Sequence, residues 1–505
     1  MADIVLTGLS ASDPVPGEYA EVVLGAGPVS AGSTTYAALI IGGMLSTGTM
    51  TPDTVIYGPD TPVTMTGEAD IIALAGNGSE LHRQVRRFLA VNQTTPLYVI
   101  AVSEGGGAAA ATGTITIATT ATGAATLRIW VQDEFVDTGI ATGDTPTVIA
   151  TNAIANINSK TWWPVTATNV AGVITLTAKQ KGLRSNFIRY FGQIKPSSIG
   201  TTVSPTASTL TSGGTTSDSS TTALATIVAK RFYYLISAAE DATQLGALSS
   251  QVATQALPVT GIRQRVFAGS QDTLSNAITI STGLNSGRVE IQWLAQSDMP
   301  PCELAANLAA VASLGESTSP PRLNFSLYGD DAQTSATWKV KAPLSGAAPT
   351  RSQVMSAINS GLSPIGVLSA GRTHLVKRVT TRFLNGSVVD YRVRDPHKVT
   401  ICDFYADDML AKTAATMRGK TIADDPQKNE PLPGPSTVTP RVLEASVDRL
   451  TNDYNENGLL QNVSTIIANT IVQRASSPRT RMTALVPLQP IDILDQVAFS
   501  IQQVA

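Results

Sequence analysis

The chain is expected to be a multidomain α/β protein: an α/β core with an inserted β-rich, sandwich-like domain, an α+β C-terminal domain and a closing strand at the C-terminal end. Three observations predict this. Between Tyr36 and Ser103 two short apolar runs flank an amphipathic helical pattern, the signature of a βαβ unit whose sheet is covered on both faces. The next hundred residues change to short strand patterns separated by turn residues. After Ser220 the strand and helix rhythm resumes, so the β-rich stretch reads as an insertion and not as an appended domain. The expected boundaries are 1–30 for an N-terminal arm, 31–105 with 220–375 for the discontinuous α/β domain, 106–205 for the insertion, 206–219 for a Ser/Thr/Gly linker, 376–490 for the C-terminal domain and 491–505 for a C-terminal arm.

Taken in order, AALII reads as a buried strand. Ser79 caps a helix in which Leu81, Val85, Phe88 and Leu89 share a face, and LYVIAV is a second buried strand. After the flexible EGGGAAAATG come strand candidates TITIA, TLRIWVQ, WPVTAT and GVITLTAK, with one helix in TVIATNAIANINSK; the low-complexity TASTLTSGGTTSDSSTT closes the insertion. RFYYLISA, IRQRVFAG, VEIQWLA and LNFSLYG resume the buried strands. Between them CELAANLAAVASL follows Pro300 and Pro301 as a helix with Leu304, Leu308, Val311 and Leu314 on one stripe. From about Arg378 a third region begins with a hairpin pattern turning at Asn385 and Gly386. Two helices follow. One runs near Met409 to Met417 with Asp407 and Asp408 as its cap, and the other places Leu443, Val447, Leu450 and Tyr454 on one face and ends at Asn457 and Gly458. In the closing LDQVAFSIQQVA, the apolar Leu494, Val497, Phe499 and Ile501 fall mainly on one parity. A strand with no following element needs a sheet edge, its own or a neighbour's.

Bulk properties exclude several classes. A length of 505 residues gives room for two to four domains. A net charge of -3, with 35 Lys plus Arg, leaves no basic stripe to track a phosphate backbone, so no nucleic-acid partner is expected. The two cysteines, Cys302 and Cys402, cannot form a disulfide framework and fit folding in a reducing cytoplasm. The N-terminal sequence lacks a secretory pattern, and the longest apolar stretches fall short of a bilayer span, so a soluble protein without membrane insertion is expected.

Candidate chemistry is sparse. Gly419, Lys420 and Thr421 end like a phosphate-binding loop, but Ala414 stands where its first glycine belongs, and Lys420 reads as a solvated helix-end cation. His82, His374 and His397 lack metal-ligand spacing apart from Asp395 near His397, and are expected at the surface in structural roles. Asp403, Asp407 and Asp408 could pair for acid and base work or hold a cation, though capping of the helix near Met409 explains Asp407 and Asp408 more simply. No serine stands in a nucleophile elbow, Ser270 in AGSQD included. Trp162 and Trp163 fit core packing better than an exposed ligand pair; Arg378, Arg382, Arg392 and Arg394 fit a solvated strand face better than a partner surface. No enzyme, cofactor or metal is expected.

The phrases VPGEYAEVVLGAG, ALIIGG, ALAGNGSELHRQV, GDTPTVIATNAIANIN, ITLTAKQKG, GLNSGRVEIQW, PPCELAANLAAVA, SPPRLNFSLYG, VTTRFLNGSVVDYRV, TIADD, GLLQN, SSPRTRM and VAFSIQQVA occur in an order that resembles the Mu-type contractile tail sheath proteins of bacteriophages over nearly the whole chain. The resemblance implies a virion structural subunit, made in the host cytoplasm, that stacks as hexameric rings around a tail tube. The sheath then contracts to drive the tube through the host envelope. Its implied partners are other copies of the chain, the tube protein, and baseplate and tail terminator proteins. It also implies that the terminal arms add strands to neighbouring subunits, through Tyr19, Glu21, Val22, Val23 and Leu24 at one end and Leu494, Val497, Phe499, Ile501 and Val504 at the other. The C-terminal domain would face the tube, and the insertion would project outward. The alternative is an adhesin that uses the inserted domain.

Overall fold

The structure is a computed structural model that describes residues 36–56, 68–316, 340–368, 371–390, 392–427, 430–431, 434 and 436–493. Its centre is an eight-stranded sheet. The first strand, β1 (Ala38–Gly43), sends Ala38 and Ile40 into one apolar core and Leu39 and Ile41 into another, and all four are buried. Only a strand covered on both faces has this pattern. After β2 (Val55–Ile56) come α1 (Glu68–Ala75) and α2 (Glu80–Leu89). As expected, the Ser79 hydroxyl accepts the His82 amide at 3.0 Å and caps α2. β3 (Leu97–Val102) then returns parallel to β1.

The insertion contains β4 (Thr112–Ala118), β5 (Ala125–Val131), β6 (Glu134–Ile140), α3 (Pro146–Ser159), β7 (Val165–Val170), β8 (Val173–Ala178), β9 (Arg189–Lys195), β10 (Thr202–Ser204) and β11 (Thr209–Leu210). These strands make two four-stranded antiparallel sheets, β10-β4-β8-β7 and β11-β9-β5-β6. Ile115, Leu127, Ile129, Ile149, Ile157, Trp163, Ile174 and Leu176 share the core between them with α3. The sequence reading missed β6 and β9, where polar residues mask the inward alternation of Val136, Thr138 and Ile140 and of Tyr190, Gly192 and Ile194. The two connections to the α/β layers run side by side, bridged antiparallel at Ser103 with Ser219, Ala109 with Thr215 and Thr112 with Ser212.

The α/β rhythm continues through α4 (Thr221–Ile227), β12 (Tyr234–Ser237), α5 (Ala242–Gln255), β13 (Arg265–Ser270), α6 (Leu274–Leu284), β14 (Val289–Trp293), α7 (Pro301–Glu316), α8 (Arg351–Asn359), β15 (Ser363–Val367) and β16 (Thr373–Leu375). The expected strand LNFSLYG lies outside the described residues. The sheet order is β16-β15-β14-β13-β12-β1-β3-β2: six parallel strands, with antiparallel β2 and β16 at the edges. α7 departs from the expected amphipathic stripe. Leu304, Leu308 and Val311 are buried, but so are Cys302, Ala305, Ala306, Ala309, Ala310 and Ala312, and Leu314 is the least buried. Small residues let the helix lie close over β12 and β13 while α2 covers its other side.

The hairpin β17 (Leu384–Asn385) with β18 (Val388–Val389) turns at Gly386, whose φ of 62° suits glycine. α9 (Pro396–Thr416) begins at Pro396, not near Met409, because Pro396 supplies a ready first turn. β19 (Thr421–Ile422), β20 (Thr437–Val438), α10 (Pro440–Glu456), α11 (Val463–Asn469), β21 (Ile471–Arg474) and β22 (Met482–Leu485) complete the fold. Ile401, Tyr405, Leu450, Tyr454, Leu459, Leu460, Ile466 and Leu488 form a small core here. No helix among the described residues is long and apolar enough to cross a membrane.

The tightest contact under α7 gives a direct test. A Cβ on Gly269 would lie 2.1 Å from the Pro301 carbonyl oxygen and 2.8 Å from Leu304 Cβ. Gly269→Ala is expected to destabilise the unassembled chain by about 1–3 kcal/mol, the usual cost of overpacking; urea denaturation measures it.

Candidate functional site

Parallel strands bring like ends together, and here the starts of β12, β13 and β14 carry charge into the interior. Arg231 and Tyr233 precede β12, Arg263 and Arg265 alternate onto one side at β13, and Arg288 and Glu290 do the same at β14. Thr400, Asp403 and Asp407 of α9 fall at i, i+3 and i+7, one face of the helix. The two sets meet. Arg288 forks onto Asp403 with both contacts at 2.8 Å, and the Tyr233 hydroxyl donates to the same carboxylate at 3.1 Å. Arg263 reaches Asp407 at 2.7 Å, and Arg231 also pairs with it. Arg265 donates to Glu316 at the end of α7 at 2.8 Å and pairs with Glu290, while Arg378 joins Glu290 at 3.0 Å and Glu316 at 3.1 Å.

Five arginines face four carboxylates in this network, so its charge nearly cancels where water is excluded. Burial opposes the charge of Asp403, but Arg288 and Arg263 outweigh it and hold the carboxyl below its usual range. Glu316 is held down in the same way by Arg265 and Arg378, against the effect of burial. Isolated charges here would be very costly, so this arrangement of α9 on the sheet is strongly favoured over any that separates the pairs.

A second joint ties the insertion to the α/β layers. Arg184, largely buried, contacts Glu80 of α2 at 2.7 Å and also pairs with Asp218. Burial works against its charge, but Glu80 and Asp218 raise its pKa. Glu80 also accepts the Gly43 amide at 2.9 Å, at the end of β1. Arg87 of α2 reaches Glu303 of α7 at 2.7 Å and Asp133 of the insertion at 3.8 Å.

Several expectations change. Asp407 and Asp408 do not cap a helix: both lie inside α9, and Asp408 accepts the Tyr454 hydroxyl of α10. His82 and His397 are buried, not at the surface. His82 meets Glu68 at 2.9 Å, and burial pushes the His397 imidazole down to about 4. Arg378 leaves the expected solvated face for the network. Trp163 is buried and Trp162 partly so, and both indole N–H groups donate to Glu134, at 2.9 and 2.8 Å, which engages the pair internally. Cys302 and Cys402 are free, buried thiols, the latter pushed up to about 12 by burial. Lys420 is exposed, just past the end of α9, and no metal-holding cluster of His, Cys, Asp and Glu occurs among the described residues. The strand-exchange candidates Tyr19, Glu21, Val22, Val23, Leu24, Leu494, Val497, Phe499, Ile501 and Val504 lie outside the described residues. The network itself was missed, although Arg263 with Arg265, and Thr400 with Asp403 and Asp407, carry the periodicities that would have revealed it.

Removing one partner should be severe. Asp403→Asn leaves Arg263 and Arg288 buried without its charge and is expected to cost about 3–5 kcal/mol by urea denaturation. The same measurement across pH separates two windows. His397 titrates near 6.5 when unfolded and about 4 when folded, so the unfolded chain binds the proton first and stability falls as pH drops from about 6.5 to 4. His397→Gln should make that fall shallower, and His82 and His374, also lowered by burial, account for what remains. Asp403 and Glu316, with depressed folded pKa values, contribute fully above about pH 4.5 and lose their contribution below it.

No family model matches the chain. It is 24% identical over 461 residues to a Mu-like prophage tail sheath protein of Haemophilus influenzae, covering 89% of each chain. Among solved structures, it overlaps a sheath tail protein from Desulfitobacterium hafniense with a TM-score of 0.44 and 12% identity, over 92% of this chain and 98% of that one. It overlaps the contracted sheath of an extracellular contractile injection system with a TM-score of 0.44 and 11% identity, over 97% and 98%.

Proposed function

We infer that the chain belongs to the Mu-type contractile tail sheath family and serves as the structural subunit of a bacteriophage tail sheath. The carrying observation is the collinear match, over 89% of both chains, to a prophage tail sheath protein. The physical reading agrees. The buried arginines and carboxylates where α9 meets the sheet are engaged with one another, so these charges serve cohesion. In this reading copies of the chain stack as hexameric rings around a tube protein, between a baseplate and a terminator, and contraction drives the tube through the host envelope. The insertion faces outward and the region from residue 376 to 490 faces the tube.

Linkage between subunits is assigned to residues 1–30 and 491–505. A sheet that could receive them is β21–β22, which among the described residues is joined by no third strand and leaves Ile471 and Leu485 exposed. Contraction then needs only a metastable extended lattice. About 1–2 kcal/mol per subunit, the yield of burying roughly 50–80 Å² of apolar surface, becomes large over a whole tail.

Negative-stain microscopy of the purified chain tests the reading: long, ring-striated hollow polymers are expected, and persistent monomers would overturn it. Deleting residues 494–505 should leave a folded chain that no longer polymerises, with circular dichroism as the check on folding.

A further inference from the structure

The first and last described segments fasten to the same helix. Tyr36, just before β1, stacks on Phe404 of α9 with ring centroids 4.7 Å apart and planes 9° apart. Its hydroxyl donates to Asp407 at 2.7 Å, and the Arg231 guanidinium sits 5.0 Å from its ring centroid. At the other end the Ile491 carbonyl meets His397 Nε2 at 3.3 Å, and the Asp492 carboxylate pairs with Lys398. Leu488 packs with Ile401 and Tyr405 between these points. His397 and Asp407 are ten residues apart on one helix, about 15 Å along its axis.

We propose that α9 is the strut through which a pull on one terminal segment passes to the other, an inference that rests on reading residues 1–30 and 491–505 as inter-subunit arms. A helix suits this role because its backbone hydrogen bonds run along its axis. α9 is also braced sideways, with Asp403 and Asp407 locked to the sheet by Arg263 and Arg288. A load arriving at Tyr36 divides between β1 and α9. A load arriving at Ile491 and Asp492 meets α9 at His397 and Lys398 and, beside it, the segment after α10, where the Ile491 amide donates to the Leu459 carbonyl at 3.2 Å and the Gln461 side chain donates to the Pro490 carbonyl at 2.8 Å. In a lattice of linked copies, α9 then gives tension a direct path from one terminal segment to the other, beside the path that runs through β1 and the sheet.

The test is breakage under contraction. Sheaths assembled from a Tyr36→Phe, Lys398→Met double variant keep the ring stack on Phe404 but lose a polar tie at each root. They should assemble as the parent does and, on contraction by acid or denaturant, fragment about fivefold more often by electron microscopy, the factor worth roughly one hydrogen bond. Tyr405→Phe removes a 3.1 Å contact to Thr451 from the same helix without touching either root, and its sheaths should stay as intact as the parent's. Parent-like integrity of the double variant, equal breakage of Tyr405→Phe sheaths, or failure of the folded double variant to assemble would each overturn the strut. If the chain lacking residues 494–505 still polymerises normally, the arm reading fails, and the strut with it. If that truncation blocks assembly while the double variant behaves as the parent, only the strut falls.

Discussion

The pairing of Asp403 and Asp407 with arginines at the strand starts is the contact on which the rest of the arrangement depends. It joins the α/β layers to the C-terminal region at a place where water is excluded. Apolar packing alone would tolerate a helix that slid or turned, since hydrophobic contact is non-directional. Forked guanidinium and carboxylate contacts tolerate neither. Arg265 and Arg378 extend the same logic to Glu316, so the end of α7 is registered against the sheet by the same group of charges.

The architecture was legible in the sequence to the extent that apolar periodicity expressed it. β1, α2, β3, β12, β13, β14 and α10 announce themselves by spacing, and Ser79 by its position before the first apolar turn. The stretches that failed share a cause. α9 was cut short because Thr400, Asp403 and Asp407 look like solvent-facing or capping residues until the arginines that neutralise them are known. α7 was given one apolar stripe because alanine is uninformative about burial, although alanine is what permits burial on every side. β6 and β9 carry too few apolar residues to signal strands by themselves. For the function, the ordered phrases along the chain were more telling than any local motif, because a mechanical subunit needs no reactive constellation.

This division suits a protein whose work is to move without coming apart. The interior is committed to fixed partners, whether alanine against strand, indole against Glu134 or guanidinium against carboxylate. Such pairings have discrete arrangements and do not deform gradually. Change of shape in an assembly of such subunits therefore falls on what joins one copy to the next. The short antiparallel strands β2 and β16 support this, since they blunt both edges of the large sheet and keep it from recruiting strands indiscriminately.

The paired connections between Ser103 and Ser219 have an evolutionary consequence. Because the chain leaves and re-enters the α/β layers through one narrow ribbon, the parent sheet meets the insertion as a cassette whose two ends are already side by side. A different module with neighbouring termini could be exchanged there without altering strand order, provided it offers Glu80 a cation in place of Arg184 and Arg87 an anion in place of Asp133. Lineages of such subunits are thus free to diversify the cassette while the layers beneath stay constant.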